Sequence, residues 1–185
     1  MIRPAKPKDA PQAIPLIIQA VGRIALTLTG AATLNEASPV LEAWFVRERN
    51  RHSYQNTIVF DQNGILAGLV VAYDGASARG LDEPLEIEAA ARLGKPNHVI
   101  TTEAESNEFY LDTLSVHSEF QGRGLGRQLI EAIFPVARQH RRDRIGLLVK
   151  AENSGAQRLY QSLEFEQVGQ KLIGEHPYGY WVRRL

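Results

Sequence analysis

The run Gln121-Gly122-Arg123-Gly124-Leu125-Gly126 holds the clearest chemistry in this chain. It lies between a β-rich stretch and an amphipathic helix whose apolar positions are Leu125, Leu129, Ile133 and Val136. Three glycines remove every Cβ from one side of the turn, leaving backbone N–H groups open to a ligand. With the unsatisfied donors and positive dipole end of the following helix, they form a site for a phosphate or pyrophosphate. Arg123 and Arg127 could add charge-assisted bonds. A P-loop is excluded, because the turn ends Gly126-Arg127-Gln128 and offers no hydroxyl for magnesium. A dinucleotide-binding turn fits poorly: the spacing is G-x-G-x-G, and His117 to Phe120 separate it from the strand. Glu152, after the next strand, imitates that fold's ribose-binding acid and keeps a nucleotide-dependent oxidoreductase as a rival.

The elements that must position this turn follow from periodicity. A strand at Ile2 to Pro4 precedes helical spacing from Asp9 to Thr29 and again, after Ser38-Pro39, from Val40 to Arg49. Thr57 to Phe60 and Ile65 to Tyr73 form a hairpin across Asp61-Gln62-Asn63-Gly64. Residues 75–107 read as an insertion between the third and fourth strands, with a short helix capped by Asp82, Pro84 near its first turn and Gly94 at its stop. Then come a strand (Phe109 to Val116), the glycine turn, a helix (Arg127 to Arg141), a strand (Arg144 to Lys150), a helix (Ser154 to Leu163) and two closing strands, Glu166 to Ile173 and Tyr178 to Arg184. Strand, crossover helix and strand imply one parallel pair, and the hairpin implies antiparallel pairing, so the expected class is α/β with a mixed sheet.

Composition narrows the function. At 185 residues and 44% hydrophobic, the chain is expected to be one domain over 1–185. Lys plus Arg and Asp plus Glu balance at 21 each, so no global field gathers nucleic acid or an anionic membrane. Cysteine is absent, which excludes thiolate nucleophiles and Cys-based metal sites. His and acidic residues show no metal-ligand spacing, and no metal is expected. The first residues hold no signal-peptide core and the most apolar stretch, Ala13 to Leu28, is interrupted by polar residues, so a cytoplasmic protein is expected.

Residues Phe109 to about Phe165 resemble the GNAT acetyltransferase superfamily. Gln121, Gly124 and Gly126 match its Gln/Arg-x-x-Gly-x-Gly/Ala signature; Tyr110 to Val116 looks like its fourth strand; Asn153, Ala156 and Tyr160 reproduce its Asn-x-x-Ala-x-x-x-Tyr helix. The resemblance implies a mostly antiparallel sheet with a splayed parallel pair and flanking helices, the acyl-CoA N-acyltransferase fold. It also implies acetyl-CoA in the splay, its pyrophosphate cradled by Gln121 to Arg127, with Gly122 and Leu125 part of that cradle. The pantetheine would pair with the backbone of Leu114, Ser115 and Val116, with the thioester oxygen at the Leu114 N–H, and Asn153 would bond the pantetheine. Two residues depart from the pattern: Glu164-Phe165 replaces the family's Gly-Phe, and Pro135 falls inside the pyrophosphate helix, where a kink is expected.

Amine acetylation also needs an acid and a base. The family tyrosine at the position of Tyr160 points at the coenzyme sulfur, so Tyr160 is the candidate acid; a core tyrosine is the plainer alternative. Asp112, a carboxylate in an apolar-leaning strand, is the candidate base, against a salt bridge to a neighbouring arginine. Glu108, a water relay and His117 remain as other routes. Between Asp82 and Glu108, Asp82, Glu83, Glu86, Glu88, Glu103, Glu105 and Glu108 face only Arg92 and Lys95, which favours a cationic acceptor whose binding weakens with salt. The expected activity is acetyl transfer from acetyl-CoA to a primary amine of a small molecule or peptide. A non-catalytic acyl-CoA sensor is the alternative from a different class. Dimers are common among members, but no residue here fixes an interface.

Overall fold

The computed structural model describes residues 1–174 and 176–185. Its seven strands are β1 (Ile2–Pro4), β2 (Thr57–Gln62), β3 (Ile65–Asp74), β4 (Phe109–Val116), β5 (Arg144–Lys150), β6 (Glu166–Ile173) and β7 (His176–Arg184). They form one sheet in the order β1-β2-β3-β4-β5-β7-β6, antiparallel throughout except for the parallel pair β4–β5. The β2–β3 turn is tighter than expected. Strand β2 runs through Gln62, and only Asn63 (φ 57°) and Gly64 (φ 88°) lie between the strands, the two positive φ values that match the twist of a hairpin.

Helices α1 (Ala10–Val21), α2 (Ile24–Thr29), α3 (Leu34–Phe45) and α4 (Ala78–Leu93) lie against one face of the sheet, with Ile14, Ile17, Leu41, Phe45 and Leu85 packed on Val59, Leu69 and Val71. Helices α5 (Leu125–Gln139) and α6 (Ser154–Gln161) cover the other, where Leu129, Ile133 and Tyr160 meet Val70, Leu111 and Leu147. The sequence misplaces several ends. The expected helix from Asp9 to Thr29 is two helices, because Gly22 adopts φ 55° and ψ −129° and breaks it. Helix α3 starts at Thr33, whose hydroxyl accepts the Glu36 N–H at 3.2 Å, and it absorbs the Ser38-Pro39 pair expected to start it. Likewise α4 begins four residues before Asp82, which is inside the helix and buried instead of capping it. Its stop is as expected, with Gly94 left-handed at φ 62°. Helix α5 starts at Leu125 and continues through Pro135 to Gln139; α6 stops at Gln161, and β7 begins at His176. After α6, Glu164 takes the left-handed conformation (φ 64°) that the family's glycine would take at less cost.

Candidate active site between β4 and β5

The parallel ladder is short: Phe109, Leu111 and the residue between them pair with Ile145 to Leu147, and beyond Leu111 the two strands separate. What lines the resulting wedge is decided by a bulge in β4. Val116 to Thr113 pair with Gly68 to Val71, then Leu111 pairs with Ala72, leaving Asp112 without a partner on β3. The His117 N–H bonds the Ala67 carbonyl, and on the far side of the bulge the Gly75 N–H bonds the Glu108 carbonyl, both at 2.9 Å. Antiparallel alternation then turns the peptide groups of Thr113 and Ser115 toward β3 and those of Leu114 and Val116 into the wedge. The bulge is what shifts the phase: unbulged, β4 would present Thr113 and Ser115 there.

The glycine turn closes the wide end of the wedge. Gly122 (φ 73°) and Gly124 (φ 76°) are left-handed, and Gly124 is the N-cap of α5, so the first N–H groups of that helix face outward. A Cβ on Gly126 would lie 3.2 Å from Leu159 of α6 and 3.9 Å from Leu114, so this glycine lets turn, strand and second helix converge. The spacer from His117 to Phe120 is a 3-10 turn, capped by the His117 ring, which accepts the Glu119 N–H at 3.3 Å. The arginines are already engaged: Arg123 donates to the Glu119 carbonyl at 2.9 Å, and Arg127 donates to the carbonyl and hydroxyl of Ser162 at 3.0 and 2.8 Å. Gln121 donates its amide to the Val116 carbonyl at 3.0 Å, and Gln19 of α1 donates to the same carbonyl and to the Ser115 hydroxyl.

Across the wedge, the Asn153 side-chain oxygen caps α6 by accepting the Ala156 N–H at 3.1 Å, which leaves its NH2 group for another acceptor. Tyr160 is buried on α6, edge-on to Phe165 with ring centroids 5.7 Å apart. Its hydroxyl has no hydrogen-bond partner among the described residues, yet it is not among the polar atoms closed off from solvent. Burial pushes its pKa up to about 12, so it stays a proton donor at neutral pH.

Asp112 is not a free carboxylate. Its side chain is 4% exposed and accepts from Arg51 Nε at 2.9 Å, from a second Arg51 nitrogen, from the Tyr73 hydroxyl at 3.0 Å and from Thr113. Burial alone would raise its pKa, but the Arg51 guanidinium outweighs that and holds it below the usual carboxylate range. Of the two readings open from sequence, the geometry matches the salt bridge. Glu108 is fully buried, accepting from the Tyr180 hydroxyl at 2.5 Å and the Glu105 N–H at 2.9 Å; burial raises its pKa. The acidic stretch is partly paired, with Arg51 shared among three carboxylates. Asp82 and Glu103 face Arg51, Glu86 faces Arg79, Glu88 faces Arg47 and Glu105 faces Lys171. The sequence missed Arg51, because it lies in an arginine-rich run from Arg47 whose other members carry no distinguishing mark.

The model of the acetyltransferase (GNAT) family matches residues 26–165, and the chain belongs to that family. It is an acyltransferase by that membership, which removes the oxidoreductase rival. Among solved structures it is similar to an acetyltransferase at 28% identity, covering 100% of this chain and 98% of the other with a TM-score of 0.80. It is also similar to an N-acetyltransferase from Staphylococcus aureus Mu50, at 21% identity with 99% and 100% covered and a TM-score of 0.83. An aminoglycoside acetyltransferase in complex with coenzyme A shares the fold at 17% identity, 100% and 94% covered, with a TM-score of 0.62. A search of curated proteins finds no match in sequence. No helix among the described residues is long and apolar enough to cross a membrane.

Proposed function

We propose that this protein, acting as one domain over 1–185, transfers an acetyl group from acetyl-CoA directly to a primary amine of a small molecule or peptide. The observation that carries the reading is the edge of β4, where the bulge turns two alternate peptide groups, those of Leu114 and Val116, into a wedge ended by a glycine turn and a helix N-terminus. The residues fit acetyl-CoA: exposed N–H donors for a pyrophosphate, a strand edge and the Asn153 amide for the amides of pantetheine, and a buried tyrosine for its sulfur. Acetyl-CoA would supply the activated acyl group.

In the reaction the amine nitrogen bonds the thioester carbon and the C–S bond breaks. The Leu114 N–H donates to the carbonyl oxygen as it gains charge, a donor fixed before the reaction begins. Tyr160 protonates the departing sulfur. Paired Asp112 and enclosed Glu108 are poor acceptors for the amine proton, which favours its loss through water. The acidic stretch, with Arg51 shared among Asp82, Glu103 and Asp112, keeps net negative charge, which favours a cationic acceptor whose binding weakens with salt.

Release of free thiol from acetyl-CoA, measured over a panel of polyamines, aminoglycosides, peptide N-termini and lysine peptides with cofactor binding followed in parallel, tests the reading. Release with one acceptor class supports it. Coenzyme A binding with no release from any acceptor would replace it with the sensor.

A further inference from the structure

The bulge that sets the phase of β4 is held by one buried side chain from a remote loop. Arg51, 2% exposed, lies between α3 and β2, and its N–H bonds the Leu81 carbonyl of α4 at 3.3 Å. Asn50 locks the same loop, donating to the carbonyls of Trp44 and Arg47 at 2.9 and 3.1 Å and accepting the His52 N–H at 3.0 Å. From this platform the guanidinium takes Asp112 with two nitrogens and faces Glu103 at 3.2 Å and Asp82 at 3.3 Å. Asp112 is the one residue of β4 with no partner on β3, so its side chain is what anchors the bulge from the α4 face of the sheet. Its side chain is enclosed while the residue as a whole is partly exposed, so its open surface is on the main chain. Losing the bulge would turn the Leu114 N–H from the wedge toward β3.

We infer that Arg51 is a positioning residue for acetyl transfer: through Asp112 and with Tyr73 it fixes the β4 bulge that aims the Leu114 peptide N–H into the wedge. This rests on the reading that the Leu114 N–H serves the thioester oxygen. Two tyrosines on the same network give a matched test. Tyr73 donates its hydroxyl to Asp112, at the bulge; Tyr110, two residues before Asp112 on β4, donates instead to Glu103 at 2.6 Å. Each of Tyr73→Phe and Tyr110→Phe removes one buried hydroxyl from the same charge cluster.

The measurements on the full chain are kcat, coenzyme A affinity by calorimetry, melting temperature and amide hydrogen exchange at Leu114. Tyr73→Phe is expected to lower kcat about tenfold, and Arg51→Lys further, with a smaller loss of coenzyme A affinity, because the same bulge aims the strand edge that pairs with pantetheine while the Leu114 N–H acts chiefly in the transition state. Tyr110→Phe is expected to lower the melting temperature comparably while kcat stays within about twofold. Leu114 exchange should change in Tyr73→Phe and Arg51→Lys only. Equal kcat losses in the two tyrosine variants, or wild-type kcat in Arg51→Lys, would overturn the inference. A wild-type protein that transfers no acetyl group removes the parent reading and the catalytic role with it, whereas unchanged Leu114 exchange in an active enzyme removes only the positioning role of Arg51.

Discussion

At the residue scale, the site separates groups whose placement was legible from those whose neighbours decided them. Tyr160 was legible, because its place in the Asn153-Ala156-Tyr160 pattern fixes which helix face it occupies. Tyr160→Phe should lower kcat by about 10²-fold or more with coenzyme A affinity nearly unchanged, since a proton donor acts in the transition state. Steady-state rates and calorimetry check this, and equal losses in both would end the proton-donor role. Its pKa near 12 also predicts no fall in kcat from its ionisation below about pH 10. Asp112 was not legible. A carboxylate in a strand announces that something must neutralise it, but nothing in the sequence says that the partner is Arg51, 61 residues away. Burial of such a group is a long-range fact, and local spacing carries only its cost.

At the element scale, strands and the β4–turn–α5 unit could be read directly, because alternation and glycine placement are local. Helix ends on the α1–α4 face of the sheet could not. Two prolines, Pro39 and Pro84, suggested helix starts where the helices run through them, since Thr33 had already capped one and α4 had begun at Ala78. The glycine turn yields an element-level prediction. Gly124 has φ 76°, a conformation that costs an L-residue about 1–2 kcal/mol. Gly124→Ala should therefore relax the free turn and weaken coenzyme A binding by roughly 5- to 30-fold, with the melting temperature changing little. Calorimetric titration of coenzyme A reads this directly, and unchanged affinity would show that the turn does not need the left-handed residue.

At the scale of the whole molecule, the buried charges make an opposed pair of acid responses. His52 is fully buried with both ring nitrogens unpartnered among the described residues, stacked on Trp44, and burial lowers its pKa from 6.5 to about 4. The fold favours its neutral form, so its stabilising share is complete above pH 6.5 and lost as pH falls toward 4, by about 3 kcal/mol. Asp82 has the opposite sign: burial raises its pKa from 3.8 to about 6, so its share is complete below 3.8 and lost as pH rises through 6. Between pH 6 and 4 the two slopes oppose, and buried Glu108, whose pKa is also raised, adds to the Asp82 side, so denaturant unfolding should show little acid lability there. Asp82→Asn should expose the histidine slope as acid lability in that range; a variant as flat as the wild type would contradict it. The sheet itself has a mechanical consequence. It is two stiff antiparallel rafts, β1 to β4 and β5 with β7 and β6, stitched along a seam of three rungs. A ligand lying along the open part of that seam would lengthen the stitching, so a sheet without it would flex about one line and a loaded one would move as a single plate.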